Sequence, residues 1–435
     1  MKVIRHPKKE DWQEILARPV FETKSLERHV QNILNHVKRD GDQAVRHFTK
    51  TLDKVEIEDF AVSDEEFAEA DARVSDELKA AIQTAKANVE KFHRAQIETP
   101  EVIETTTGVF CWRKSVAIER VGLYIPAGSA PLFSTVLMLA VPALIAGCRE
   151  IVLCSPPDEN GKINDAILYA AKLCGVTKAF KIGGAQAIAA LAYGTQSVPP
   201  VYKIFGPGNQ FVTCAKQLVS QTHAAIDMPA GPSEVAVLAD ETCVPAFAAA
   251  DLLSQAEHGV DSQVLLVTTS EKVVEETLLE VEKQCAVLPR RAIAEKSLAN
   301  SKAILVETFD EAVELLNEYA AEHLIVATKN ADETAEKIVN AGSVFIGNYS
   351  CESAGDYASG TNHTLPTNGF ARAFSGVSLD SFVKKITFQK LTADGVRNLG
   401  GAVELMAEAE SLQAHKNAIS VRLAAINGEL KNAQK

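Results

Sequence analysis

Short apolar runs separated by amphipathic stretches constrain this chain more than any other feature. Residues 151–154, 179–182 and 201–205 are such runs, and the pattern restarts at 235–238, 264–267, 303–305, 324–327 and 344–346. They are too short for helices and mainly apolar instead of alternating, as strands covered on both faces are. Helical spacing fills the intervals near 135–146, 164–173 and 185–192. Strands alternating with helices predict parallel sheets packed between helical layers. The restart predicts a second such unit, although the two series are too dissimilar in sequence to establish a duplication.

The flanks differ. Ser25 can cap a helix running to Asp40, where Gly41 stops it, and a short helix follows from Asp42. Residues 75–96 place Leu78, Ala81, Ile82, Ala85, Val89 and Phe92 at helical spacing, so the first hundred residues read as helical. Residues 109–112 and 115–124 are rich in Val, Ile and aromatic side chains and read as strands. From Asp380 strand signals thin out, and 392–427 reads as two helices, the second holding Ala414, His415, Ile419, Leu423 and Ala424. A helical tail after a complete α/β unit suggests packing on a neighbouring subunit.

Composition excludes several functions. Lys and Arg number 44 against 57 Asp and Glu, a net charge of −13 with no dense basic run. Such a chain is poorly suited to nucleic acid or an anionic membrane. The longest weakly polar run, 136–148, contains Pro142 and Gly147 and falls short of the roughly 20 residues that span a bilayer. The first ten residues are charged and lack an apolar signal core, so a cytoplasmic protein is expected. None of the eight cysteines forms a CxxC pair, which predicts reduced, mostly buried thiols.

Several polar segments can carry chemistry. In Ser254-Gln255-Ala256-Glu257-His258-Gly259, Gln255 and His258 are three apart and share a face on a helix. That spacing suits two ligands of one metal ion, or equally a polar last turn with a histidine at the negative end of the helix dipole. Glu322-His323 precedes a strand. The pair offers two bases of different pKa, or a solvated acid beside a half-buried histidine. Ser359-Gly360-Thr361-Asn362-His363-Thr364-Leu365-Pro366-Thr367, after Gly355-Asp356-Tyr357, reads as a functional loop or a plain connection. His415, five residues after Glu410, is by itself a surface or packing histidine. Phe205-Gly206-Pro207-Gly208-Asn209 opens a helix after a strand, as phosphate-binding turns do, but it is not G-x-G-x-x-G. In Ile226-Asp227-Met228-Pro229-Ala230-Gly231-Pro232-Ser233-Glu234, the serine and acid can touch a ligand or cap backbone.

Together these motifs resemble the histidinol dehydrogenase family over nearly the whole chain. Val121-Gly122-Leu123-Tyr124-Ile125-Pro126, Gly183-Gly184-Ala185-Gln186-Ala187-Ile188 and 205–209 are similar to its nucleotide-binding motifs. Residues 226–240 are similar to its signature segment. Residues 254–259, Glu322-His323, 356–367 and Glu410 to His415 are similar to its active-site motifs. The resemblance implies oxidation of L-histidinol to L-histidine with two NAD⁺, through a bound aldehyde. It implies two Rossmann-like parallel-sheet units, a helical N-terminal region, and a helical tail exchanged in a homodimer. The implied division is an N-terminal helical segment (1–22), a main domain (23–122 and 231–378), an NAD domain (123–230) and the tail (379–435).

The resemblance also assigns roles. Zinc is implied on Gln255, His258, Asp356 and His415, and Glu322 and His323 are the implied catalytic bases. Ser233, Gln255, His258, His323, Asp356, His363, Glu410 and His415 are implied substrate contacts, with Glu410 and His415 coming from the other subunit. Tyr124, Gln186 and Asn209 are implied to hold NAD, in a family that lacks the usual dinucleotide fingerprint. Ala127 stands where the family more often has Gly, and Thr361 where Pro often precedes Asn-His. Competing readings are a relative oxidising another polar alcohol such as a sulfonated diol, a zinc hydrolase, and a non-catalytic metal-binding protein. Retention of Glu410, Ser233 and His363 favours histidinol, and Glu322-His323 argues against a scaffold.

Overall fold

A computed structural model describes residues 1–18, 23–127, 130–176, 178–229 and 231–428. In chain order, the first strands are β1 (Lys2–Arg5), β2 (Ile103–Thr106) and β3 (Val109–Ala117). Next come β4 (Arg120–Tyr124), β5 (Glu150–Ser155), β6 (Lys178–Lys181), β7 (Lys203–Phe205) and β8 (Ala225–Ile226). They are followed by β9 (Glu234–Ala239), β10 (Gln263–Thr268), β11 (Lys302–Leu305), β12 (His323–Ala327) and β13 (Ser343–Ile346), and finally β14 (Val383–Leu391). The chain divides into two compact units. One is Met1–Gln96 with Ile118–Phe382; the other is Ile97–Ala117 with the described part of Val383–Lys435.

The larger unit holds two parallel sheets, ordered β6-β5-β4-β7-β8 and β1-β11-β10-β9-β12-β13. In both, the first strand of the series is central, with the second and fourth beside it. That is the doubly wound order, in which the connections turn to opposite faces on either side of the first strand. Pleating sends alternate residues to opposite layers. Ile151 and Leu153 pack toward helix Phe133–Ala146, whereas Val152 and Cys154 pack toward helices Thr23–Asp40 and Gly184–Tyr193. In the second sheet Val235 and Val237 face one layer, and Ala236 and Leu238 the other.

The apolar stretch around 136–148 is helix Phe133–Ala146, buried from Ser134 to Ala143 inside this unit. No helix among the described residues is long and apolar enough to cross a membrane. Of the eight cysteines, all free, six are buried and Cys351 is exposed.

The wholly helical reading of the first hundred residues needs correction at its start. Lys2–Arg5 is a strand on the edge of the second sheet, paired with Lys302–Leu305. Four residues carry too little periodicity to read, and the partner lies 300 positions away. Residues 19–22, inside the expected N-terminal segment, fall outside the described residues.

The smaller unit is an antiparallel sheet, ordered β14-β3-β2, with helices Ala393–Ala409 and Gln413–Ile426. The nine-residue strand β14 corrects the expectation that strands fade after Asp380. Lys384, Lys385 and Lys390 obscure its pattern, and its stability comes from a full antiparallel register along β3. Trp112 stacks on Phe388 across that pair, with ring centroids 5.4 Å apart.

Candidate active site

A cavity of about 1130 Å³ opens within the larger unit. One wall comes from the carboxyl ends of the β4–β8 sheet, with Tyr124, Gly184, Gly206, Asn209 and Asp227. The other comes from the amino ends of β9 and β12 and nearby loops, with Ser233, Glu234, His258, Glu322 and His363.

The amino-end wall is ionic. Glu322 and His323 are 6% and 2% exposed, so the pair is a buried dyad and not a solvated acid beside a half-buried ring. Glu322 Oε2 accepts the Glu234 backbone N–H at 2.8 Å. That bond couples the strand starts of β9 and β12, which are direct neighbours. His323 Nδ1 lies 3.3 Å from the Glu234 carbonyl, 3.2 Å from Gln255 Nε2 and 3.7 Å from Glu322. Its Nε2 lies 3.3 Å from Asp356 Oδ1. Those two atoms and Gln255 Oε1 are buried and lack an aligned hydrogen-bond partner. Buried polar atoms without partners are uncommon, and several at one place mark a site for something the protein itself does not provide.

Helix Pro245–Ala256 delivers Gln255 and ends before His258. The His258 N–H still bonds the Gln255 carbonyl at 3.1 Å, so the i,i+3 relation persists in a tightened last turn. His258 lines the cavity and is open to it. Helix Glu352–Tyr357 supplies Asp356 and Glu352 one turn apart. His323, Glu352 and Asp356 have ligand atoms within 4.8 Å of one another. His363 donates from Nδ1 to the Asp356 carbonyl at 2.7 Å, since that partner only accepts. In the neutral ring Nε2 is then the acceptor, 3.1 Å from Thr135 Oγ1.

Burial works to lower the His323 pKa, but the carboxylates of Glu322, Glu352 and Asp356 overcome it and hold the ring well above its ordinary range. Burial works to raise Asp356, and the facing His323 outweighs that and leaves it low. Burial pushes Glu352 up. Behind the dyad, Arg18 forks onto Glu234 with N–O distances of 2.5 and 2.8 Å, and the Asn368 N–H adds a third bond at 2.8 Å.

The carboxyl-end wall combines glycines and neutral groups with Asp53 and a buried Lys216–Asp227 pair. Tyr124 OH accepts the Gly184 N–H at 3.1 Å. Gln186 is fully buried, donates from Nε2 to Asp53 at 2.9 Å, and keeps Oε1 without a partner. Asn209 Oδ1 caps helix Gln210–Ser220 by accepting from the Phe211 and Val212 amides. Gly206 has φ +124°, and a Cβ there would stand 2.1 Å from the Tyr124 carbonyl. Only glycine lets the backbone pass so close. The turn is held by a buried pair, Lys216 with Asp227 at 2.5 Å, which bonds the Gly206 carbonyl and N–H.

Glu410 and His415 belong to the smaller unit and are exposed there, beside exposed Leu405, Met406 and Leu412. The cluster in the larger unit forms without them. Motif reading missed Arg18, Asp53 and Glu352, which stand alone in the sequence. In the segment 226–234 it weighed a serine and an acid without distinguishing Asp227 from Glu234.

The family model described as Histidinol dehydrogenase matches residues 16–423. The chain belongs to the histidinol dehydrogenase family. It is 63% identical over 423 residues to histidinol dehydrogenase of Bacteroides fragilis (strain YCH46), covering 97% of this chain and 99% of that one. It is 52% identical over 420 residues to histidinol dehydrogenase of Escherichia coli (strain K12), covering 96% of each. The solved structure of histidinol dehydrogenase from Elizabethkingia anophelis superposes with a TM-score of 0.96 at 54% identity, over 98% of this chain and 99% of that one. Histidinol dehydrogenase is therefore the function of this chain, an oxidoreductase of histidine biosynthesis. Identity at this level does not favour the reading as a dehydrogenase of another polar alcohol.

Proposed function

We propose that this chain oxidises L-histidinol to L-histidine in two NAD⁺-linked steps at a zinc-dependent site shared between two subunits. The observation that carries the reading is that Gln255 Oε1, His323 Nε2 and Asp356 Oδ1 are buried together without an aligned hydrogen bond. Mixed nitrogen and oxygen donors of this kind suit zinc. Gln255, His258, Asp356 and His415 of the partner subunit would hold it, and exposure of His415 on its own unit supports that exchange.

When bound, zinc supplies positive charge among the carboxylates and orients the imidazole and amine of the substrate. NAD⁺ accepts the hydride, and we place it along Tyr124, Gln186 and Asn209 at the carboxyl-end wall, where a nucleotide sits in Rossmann-like sheets. With positive charge held at Asp356 the ring would face less negative charge, so neutral His323 would take the alcohol proton as the first hydride leaves. Glu322, fixed by the Glu234 N–H, draws a proton from the water that adds to the bound aldehyde, while His323 returns its proton to the aldehyde oxygen and is free to act again. His323 takes a proton again as the hydrated aldehyde gives up its second hydride. Ser233 and His363 border the space where the substrate would lie, and Glu410 of the partner subunit would meet its ammonium group. Free thiols support a reducing, cytoplasmic setting.

The test is to assay the purified protein with L-histidinol and NAD⁺ before and after chelation, with metal analysis alongside. We expect one zinc per chain, activity lost on chelation and activity restored by zinc. Full turnover by metal-free protein would refute the zinc site.

A further inference from the structure

Glu352 belongs to none of the recognised motifs, yet it is 1% exposed in the centre of the ionic cluster. Its Oε1 accepts the Gln255 Nε2–H at 2.7 Å and lies 3.3 Å from the Ser254 hydroxyl, which donates. The chemistry of that contact is directional. The two ends of an amide have nearly the same shape, so packing alone does not choose between them. At this contact Glu352 Oε1 is the acceptor, so the end of Gln255 that faces it is the NH2 group. The amide oxygen is thereby turned the other way, and it is buried there without a partner. A neutral amide is a weak metal ligand, and in the opposite orientation it would present two N–H bonds to a cation.

We propose that Glu352 is a positioning residue: it locks the Gln255 amide so that Oε1, and not Nε2, faces the metal position. This rests on the zinc site proposed above. Outer partners of this kind orient the atoms that touch the metal. Glu352 and Asp356 sit one turn apart on helix Glu352–Tyr357, so one short element would carry both a ligand and the group that orients another ligand.

The test uses the full-length dimer. Zinc affinity is measured by competition with a chromophoric chelator, and cobalt-substituted protein reports the ligand set through its visible absorption. Glu352→Met removes the acceptor while filling the space, with Glu352→Ala as a second such variant should the methionine not fold. Glu352→Gln keeps an acceptor oxygen. We expect loss of the acceptor to weaken zinc binding about 10- to 100-fold. It should also move the cobalt spectrum to that of Gln255→Ala. Glu352→Gln should stay within about threefold of wild type and keep its spectrum. Combined with Gln255→Ala, the loss of Glu352 should add nothing further.

Equal losses in Glu352→Gln and Glu352→Met would overturn the proposal in favour of a charge effect or direct ligation. Additive losses with Gln255→Ala, or wild-type affinity in every variant, would also overturn it. Wild-type protein without zinc would instead strike the metal site itself. Melting of the metal-free proteins checks that each variant is folded.

Discussion

The two parallel sheets share one strand order, yet their facing ends are built from opposite materials. The carboxyl ends of β4–β8 present Gly184, Gly206, Tyr124 and Asn209 near bare backbone, and the charges Lys216 and Asp227 there are paired with each other. The amino ends of β9 and β12 present Glu234, Glu322 and His323, with Glu352 and Asp356 behind. Strand order therefore does not decide what a sheet does. A close backbone approach suits a large ligand held by shape, whereas buried charges that constrain one another suit proton transfer. The contrast predicts that damage to the ionic wall abolishes chemistry and that damage to the glycine wall weakens nucleotide binding.

The largest effect should come from His323→Ala. We predict a fall in turnover of about 10³-fold, within the usual range for a general base, with NAD⁺ affinity changed less than about twofold by calorimetry. Parallel loss of NAD⁺ binding would break the division between the walls. The same variant probes subunit exchange. Reassociation with inactive His415→Ala protein should recover about a quarter of wild-type activity, because half the dimers are mixed and each has one intact site. No recovery would place His415 in its own subunit's site.

Next is Arg18→Met, which strands the buried Glu234 carboxylate. Breaking such a pair costs about 3 kcal/mol or more. Denaturant titration should show that loss, together with lower turnover, because the Glu234 backbone carries the Glu322 bond. An unchanged midpoint would mean that Arg18 is not needed at the ionic wall.

Gly206→Ala addresses the other wall. Its positive φ and the clash with Tyr124 should raise the KM for NAD⁺ about tenfold while leaving the rate at saturation near wild type. A fall confined to kcat would reverse the assignment.

Asp53→Asn should have the smallest effect. Burial pushes this carboxyl up to about 6 from an ordinary value of 3.8. The folded state holds the proton more tightly than the unfolded one, so stability falls as pH rises from about 4 through 6 and stays reduced above it. The variant, at this half-buried position, should gain less than about 1 kcal/mol at pH 8 and nothing near pH 4, by thermal melting. A gain at low pH would contradict the sign.

Much of this was legible in the sequence because the signals were local. Apolar runs such as 235–238 and 264–267 marked strands, and Gln255, Glu322-His323 and Asp356 stood in motifs whose resemblance covered the chain. What escaped was long-range. Strand β1 gains meaning only beside Lys302–Leu305, and β14 only beside Val109–Ala117. Arg18, Asp53 and Glu352 act through partners 216, 133 and 97 positions away, and no spacing rule reaches that far. The Gln255–His258 spacing pointed to a helix face, but the helix stops at Ala256 and a turn carries the histidine.

The most direct test is to count products. The protein is incubated with L-histidinol and excess NAD⁺, and NADH, histidine and free aldehyde are quantified together. This account predicts two NADH for each histidine and no released aldehyde, because one ionic wall serves both oxidations before the substrate departs. One NADH per histidinol with aldehyde accumulating in solution would contradict it, since the dyad would then perform only the first step.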